Sequence, residues 1–227
     1  MDPKFWRERW QSGQTGFDQA EVNADLRSLW PRLQCPPEAR VFVPLCGKSI
    51  DMVWLREQGH EVIGIELSEL AVAAFFDERQ LRPVRETCGA LQRWSAPGYE
   101  LYVGDFFALG AAPLANVRAV YDRAALIALP APVRERYAQH LAATLPARCR
   151  ILLLTLNYPQ DQMAGPPFAV AAPEVKSLFE RDFSVQPLSS RNALAEEPRF
   201  QQRGLNKLQA EGYLLERLSA GIKSDGA

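Results

Sequence analysis

Val41-Phe-Val-Pro-Leu-Cys-Gly-Lys-Ser-Ile-Asp51 leads, after a short gap, to Gln58-Gly-His-Glu-Val-Ile-Gly-Ile-Glu66. An apolar run enters a turn of small residues, a helical pattern follows, and a second apolar run ends in an acid. That order predicts the opening βαβ unit of a doubly wound α/β fold. Gly47 lets the backbone come close to a ligand. Glu66, nineteen positions later, falls where a ribose diol needs an acceptor. The pair predicts a site for an adenosine-containing molecule.

Outward from this unit, residues 3–11 and about 18–33 read as helices, the second from the spacing of Leu26, Leu29, Trp30 and Leu33. Pro36-Pro37 separates them from a first strand at 41–45. A helix over 50–58 puts Ile50, Val53 and Trp54 on one face and stops at Gly59. Strand two is 61–66, and Ser68 is placed to cap a helix over 69–79. Strands at 100–105, 117–121 and 151–156 follow, with a helix over 132–144. Prolines mark 157–172 as a long loop. A helix at 173–181 and an antiparallel pair at 183–188 and 212–218 finish the pattern. The expectation is a mostly parallel seven-stranded sheet with helices on both faces. It would be one domain over 1–227, with a helical segment at 1–35 and an α/β core at 41–218.

The 227 residues are 47% hydrophobic with a net charge of −1, enough for a large core and without the basic excess that nucleic acid or membrane partners need. Cys35, Cys46, Cys88 and Cys149 form no CxxC pair, and no signal segment or membrane-spanning run is visible. Reduced thiols in the cytoplasm and a monomer are expected. The two histidines, His60 and His140, argue against a histidine triad or a multi-histidine metal site.

Three ligands compete for the Gly47 turn. Gly47-Lys48-Ser49 resembles the end of a P-loop, but Phe42 stands where that loop needs a glycine. A dinucleotide site needs two further glycines, and Pro44, Leu45 and Cys46 precede the one present. S-adenosylmethionine carries adenosine without phosphates. It needs one close backbone approach, an acid for the ribose, and an apolar slot with a polar edge for adenine. Gly47, Glu66 and Asp105 with Phe106 and Phe107 supply these at successive strand ends. Lys48 and Ser49 fit a helix start that could also hold the methionine carboxylate.

Trp6-x-x-x-Trp10, Gly13-x-Thr15-x-Phe17, Val43-Pro-Leu-Cys-Gly-Lys48, Asp51-Met-x-Trp-Leu55, Val62-x-Gly-x-Glu66-x-Ser-Glu69 and Asp122-Arg-x-Ala-Leu126 together resemble the thiopurine S-methyltransferase family, in its bacterial form. The resemblance implies a class I, Rossmann-like methyltransferase with an N-terminal helical lid. It implies that Leu45 and Glu66 contact S-adenosylmethionine and that Trp10 closes over it. Arg123 would stand beside the methyl group and the acceptor, contributing to catalysis and to both binding sites. Phe17 would line the acceptor pocket with Arg199, although Arg203 in the diverged stretch Pro198–Arg203 fits that role as well.

The residues alone leave alternatives. By spacing alone Trp6 and Trp10 read as a buried helix face rather than a lid, Arg123 could pair with Asp122, and Cys46 reads as a tight turn residue. Transfer from a sulfonium to sulfur is an in-line displacement, so alignment matters more than proton removal. A heteroaromatic thiol supplies thiolate near neutral pH, in keeping with the scarcity of histidine. The implied acceptor is a small soft nucleophile, either a heterocyclic thiol or, in metalloid detoxification, a selenium or tellurium species. A non-catalytic S-adenosylmethionine binder is the different-class alternative.

Overall fold

A computed structural model of the chain describes residues 3–219; the outermost ends of the expected 1–227 domain lie outside the described residues. Helices α1 (Pro3–Gln11) and α2 (Ala24–Leu29) precede β1 (Arg40–Pro44), α3 (Asp51–Glu57), β2 (Glu61–Glu66) and α4 (Glu69–Glu78). Then come β3 (Val84–Cys88), β4 (Leu91–Ala96), β5 (Tyr99–Val103), α5 (Ala111–Leu114), β6 (Val117–Arg123), α6 (Ala131–Thr144) and β7 (Arg150–Asn157). The chain closes with α7 (Ala172–Phe179), β8 (Phe183–Asn192), α8 (Pro198–Gln202) and β9 (Gln209–Arg217).

One sheet orders these strands β3-β4-β5-β2-β1-β6-β7-β9-β8. From β5 to β7 the neighbours are parallel, and β8 and β9 form the expected antiparallel pair. Among the described residues the sheet has nine strands where seven are expected. The extra two are an antiparallel hairpin, β3 with β4, added beside β5. Every residue of β3 is exposed, so the hairpin's outer strand has no apolar face and no alternating pattern to betray it.

The second expected helix is also shorter. Asn23 accepts the amide of Leu26 at 3.0 Å, and this cap starts α2 at Ala24 rather than near 18. A 3₁₀ turn with Pro31 in its first turn, Trp30–Leu33, continues it. The apolar face still holds: Leu26, Leu29, Trp30 and Leu33 are all buried.

Alternate residues of the central strands feed two cores, as a sheet covered on both faces requires. Phe42, Ile63, Ile65 and Val120 join one; Val41, Val43, Val62 and Tyr121 join the other. A smaller cluster of Tyr158, Met163, Phe200, Leu205 and Leu208 packs the 157–172 loop against α8. Among the described residues no helix is long and apolar enough to cross a membrane.

Candidate active site

The parallel strands end along one edge, and a cavity of ≈ 560 Å³ opens there. That lies within the usual span of small-molecule and cofactor sites, about 300–1,000 Å³. Its floor is the turn after β1. Leu45 adopts φ 48°, a left-handed conformation about 1–2 kcal/mol uphill for an L residue. Ala124, directly after Arg123, is a second case at φ 63°. Both border the cavity, where such strain is characteristically held in place by its surroundings.

The buried carboxylate of Glu66 fastens this floor. Its Oε2 accepts the Gly47 amide at 2.9 Å and its Oε1 accepts the Ser68 amide at 2.9 Å. Burial pushes the Glu66 carboxyl above its usual range, while the Ser68, Gly47 and Leu67 amides pull it back. A carboxylate offers about four lone-pair sites, so capacity remains toward the cavity it borders. Cys46 is buried beside this acid; burial first, then the Glu66 charge, raises its thiol well above normal. It is an inert turn residue, as the sequence suggests.

Gly47 carries φ 53°, and a Cβ there would stand 2.9 Å from Trp10 Cζ2. Trp10 therefore lies directly against the turn. Phe17 sets its ring edge-on against Trp10 at 5.3 Å and against Trp6 at 5.5 Å, and all three border the cavity. Trp10 is thus both buried and cavity-facing.

Asp105 does not end a strand: β5 stops at Val103, and Asp105 caps a 3₁₀ turn by accepting the Phe107 amide at 3.0 Å. It is exposed and borders the same cavity. Lys48 is likewise placed differently from expectation. Its ammonium meets Asp18 at 3.2 Å and Glu78 at 2.5 Å, which leaves it committed to protein carboxylates.

On β6, alternation sends Asp122 and Arg123 to opposite faces. Asp122 accepts from Tyr137 Oη at 2.7 Å and from the Leu126 amide at 3.2 Å. Burial raises its carboxyl to about 6 despite those bonds. It pins the turn that displays Arg123 instead of pairing with it. Arg123 turns toward the cavity, with Nη1 3.5 Å from the Phe17 carbonyl and 4.0 Å from Asp51 Oδ2.

Asp51 backs Tyr121 and Arg123, both of which border the cavity, a role that sequence reasoning missed. It is 1% exposed, accepts from Tyr121 Oη at 2.9 Å and from the Asn23 amide at 2.8 Å. Tyr121 stands two residues before Arg123 on the same face, and that spacing was the available signal. On the far side Arg199 donates to the Gly16 carbonyl and pairs with Glu197 at 2.9 Å. Arg203 also borders the cavity and forms no ion pair among the described residues.

A sequence model of the thiopurine S-methyltransferase family matches residues 1–218. The chain is 52% identical over 217 residues to the thiopurine S-methyltransferase of Xanthomonas campestris pv. campestris (strain 8004), covering 96% of this chain and 100% of that one. It is 49% identical over 215 residues to the one from Nitrosospira multiformis, covering 95% and 98%. Among solved structures, 1,6-didemethyltoxoflavin-N1-methyltransferase of Burkholderia thailandensis, bound to 1,6-didemethyltoxoflavin and S-adenosylhomocysteine, aligns with a TM-score of 0.65. That match has 17% identity and covers 96% of this chain and 87% of the other. A SAM-dependent methyltransferase from Anabaena variabilis gives a TM-score of 0.66 at 14% identity, covering 95% and 94%. These likenesses establish the class I methyltransferase fold.

Proposed function

The chain belongs to the thiopurine S-methyltransferase family and is an S-adenosylmethionine-dependent methyltransferase, and from that premise we propose that it methylates the sulfur of small, acidic thiols such as thiopurines. The observation that carries this acceptor class is the setting of Arg123. Its guanidinium borders the cavity beside Phe17 and, among the described residues, meets the Phe17 carbonyl at 3.5 Å and Asp51 at 4.0 Å, both long contacts. Donors remain for an anionic sulfur or its ring.

The residues present fit the donor. A one-glycine turn offers no phosphate cradle, whereas Glu66 offers lone pairs for two ribose hydroxyls. Glu66 and Gly47 would hold the ribose side, Leu45 and Trp10 would cover the nucleoside, and Asp105 would meet the polar edge of adenine. Bound S-adenosylmethionine supplies a methyl carbon already activated by the sulfonium charge. Arg123 favours the thiolate form of the acceptor and orients it by directed hydrogen bonds. Phe17 and Trp10 exclude water as opposite charges are neutralised. Arg203, with no ion pair among the described residues, and Arg199 line the acceptor side.

The test is product analysis by mass spectrometry with 6-mercaptopurine, selenite and tellurite as acceptors. S-methylated purine with matching S-adenosylhomocysteine supports the reading. Methylated selenium or tellurium without methylated thiol replaces the acceptor class, and cofactor binding with no product from any acceptor favours a binder.

A further inference from the structure

Three consecutive residues of the loop after α1 are each gripped by a cation from a different element. The Gly16 carbonyl accepts from Arg199 on α8, and the Phe17 carbonyl lies 3.5 Å from Arg123 Nη1 at the end of β6. The Asp18 carboxylate lies 3.2 Å from Lys48 Nζ in the turn after β1. Arg199 and Arg123 border the acceptor side, so their part in the site is already described. Lys48 and Asp18 have no role in it so far.

Their placement is specific. Lys48 follows Gly47, whose amide is bonded to Glu66, and the Lys48 carbonyl is held by Arg79 Nη2 at 3.4 Å. Its ammonium is braced on its other side by Glu78 of α4. Asp18 follows Phe17 and closes a tight turn, its amide donating to the Thr15 carbonyl at 2.7 Å. The pair therefore links the turn that faces the cofactor to the aromatic ring that faces the acceptor. The side chains of Lys48 and Asp18 are 25% and 18% exposed, shielded enough to hold a geometry yet open to solvent.

We propose that Lys48 and Asp18 form the clasp that seats Phe17 over the acceptor, which makes both of them positioning residues. The proposal rests on the lid role assigned to Phe17. The Glu66–Gly47 and Arg79–Lys48 bonds fix the Lys48 backbone, and the clasp passes that order to Phe17. Loss of the clasp then weakens use of the acceptor and leaves donor affinity in place.

The test is a double-mutant cycle of Lys48→Met and Asp18→Asn, with Lys48→Arg and Asp18→Glu as conservative controls. Each charge-removing variant is expected to raise KM for 6-mercaptopurine by about two- to fivefold, the scale of a partly shielded ion pair. The double variant adds little to either single one, and the controls stay near wild type. Affinity for S-adenosylhomocysteine stays within about twofold. Hydrogen exchange at the Asp18 amide, read without any acceptor, speeds up in Lys48→Met and, in the wild type but not in that variant, with added salt.

Strictly additive effects, or unchanged exchange, overturn the clasp. So does a large loss of S-adenosylhomocysteine affinity in Lys48→Met alone, which makes Lys48 a cofactor ligand. Faster exchange in Lys48→Met, together with a wild type that methylates no thiol, upholds the clasp and removes the thiol as acceptor.

Discussion

The carboxylate of Glu66 accepts the backbone amide of Gly47 at 2.9 Å, tying the acid that ends β2 to the glycine of the turn after β1. One side chain thus shapes the turn and borders the cavity. A single mutation probes both duties through two measurements. Glu66→Gln presents an amide N–H₂ to one of two backbone donors, at Gly47 or Ser68, and leaves a buried amide without an acceptor. The expected cost is about 1–3 kcal/mol of stability. Affinity for S-adenosylhomocysteine should fall by about tenfold or more, since a charged acceptor is replaced by a neutral one. Calorimetry and urea unfolding read the two effects, and unchanged affinity removes Glu66 from the ribose.

Gly47→Ala should be damaging in spite of its size. Its φ of 53° costs an alanine about 1–2 kcal/mol. The added Cβ would also stand 2.9 Å from Trp10 Cζ2, which has to move. The expected signature is a lower midpoint in urea together with altered tryptophan fluorescence. A wild-type spectrum would mean that Trp10 does not rest on this turn.

Asp51→Asn separates positioning from folding. The variant keeps an oxygen for the Asn23 amide but loses the negative charge facing Arg123. Turnover at saturating donor should fall by about tenfold, an effect of misplacing one catalytic group. Affinity for S-adenosylhomocysteine should stay near wild type. An equal loss in both quantities would make Asp51 a general structural residue.

Asp122 sets a pH dependence of stability. Its folded value, about 6, lies above the ordinary 3.8. Its contribution is therefore fully present below pH 4 and is lost as pH rises through about 6, a change of about 3 kcal/mol. Asp122→Asn does not titrate, so its stability relative to wild type should rise between pH 4 and 7. Urea midpoints across that range test this; parallel curves for the two proteins contradict it.

The opening βαβ unit was legible because its evidence is local. Apolar runs make β1 and β2, and Gly47 and Glu66 fall at their ends. The apolar face of α2 was legible for the same reason. The β3–β4 hairpin was not, because β3 buries nothing and its sequence carries no alternation. The start of α2 was missed because a cap at Asn23 outweighs helical spacing further upstream. The partnership of Asp51 with Tyr121 spans 70 residues, and only the folded sheet brings them together. Lys48 reads in the chain as part of a helix start and Asp18 carries no signal of its own, since their meeting depends on how the loop after α1 lies over the strand ends.

The most direct measurement is transfer of a labelled methyl group from S-adenosylmethionine to 6-mercaptopurine by the wild type and by Arg123→Ala, at saturating donor. The expected result is label on sulfur with one S-adenosylhomocysteine per methyl. Arg123→Ala should be slower by about a hundredfold, the scale of removing a donor to developing or resident negative charge, with donor affinity intact. Wild-type turnover in Arg123→Ala, or a wild type that binds S-adenosylhomocysteine and methylates no thiol, would contradict it.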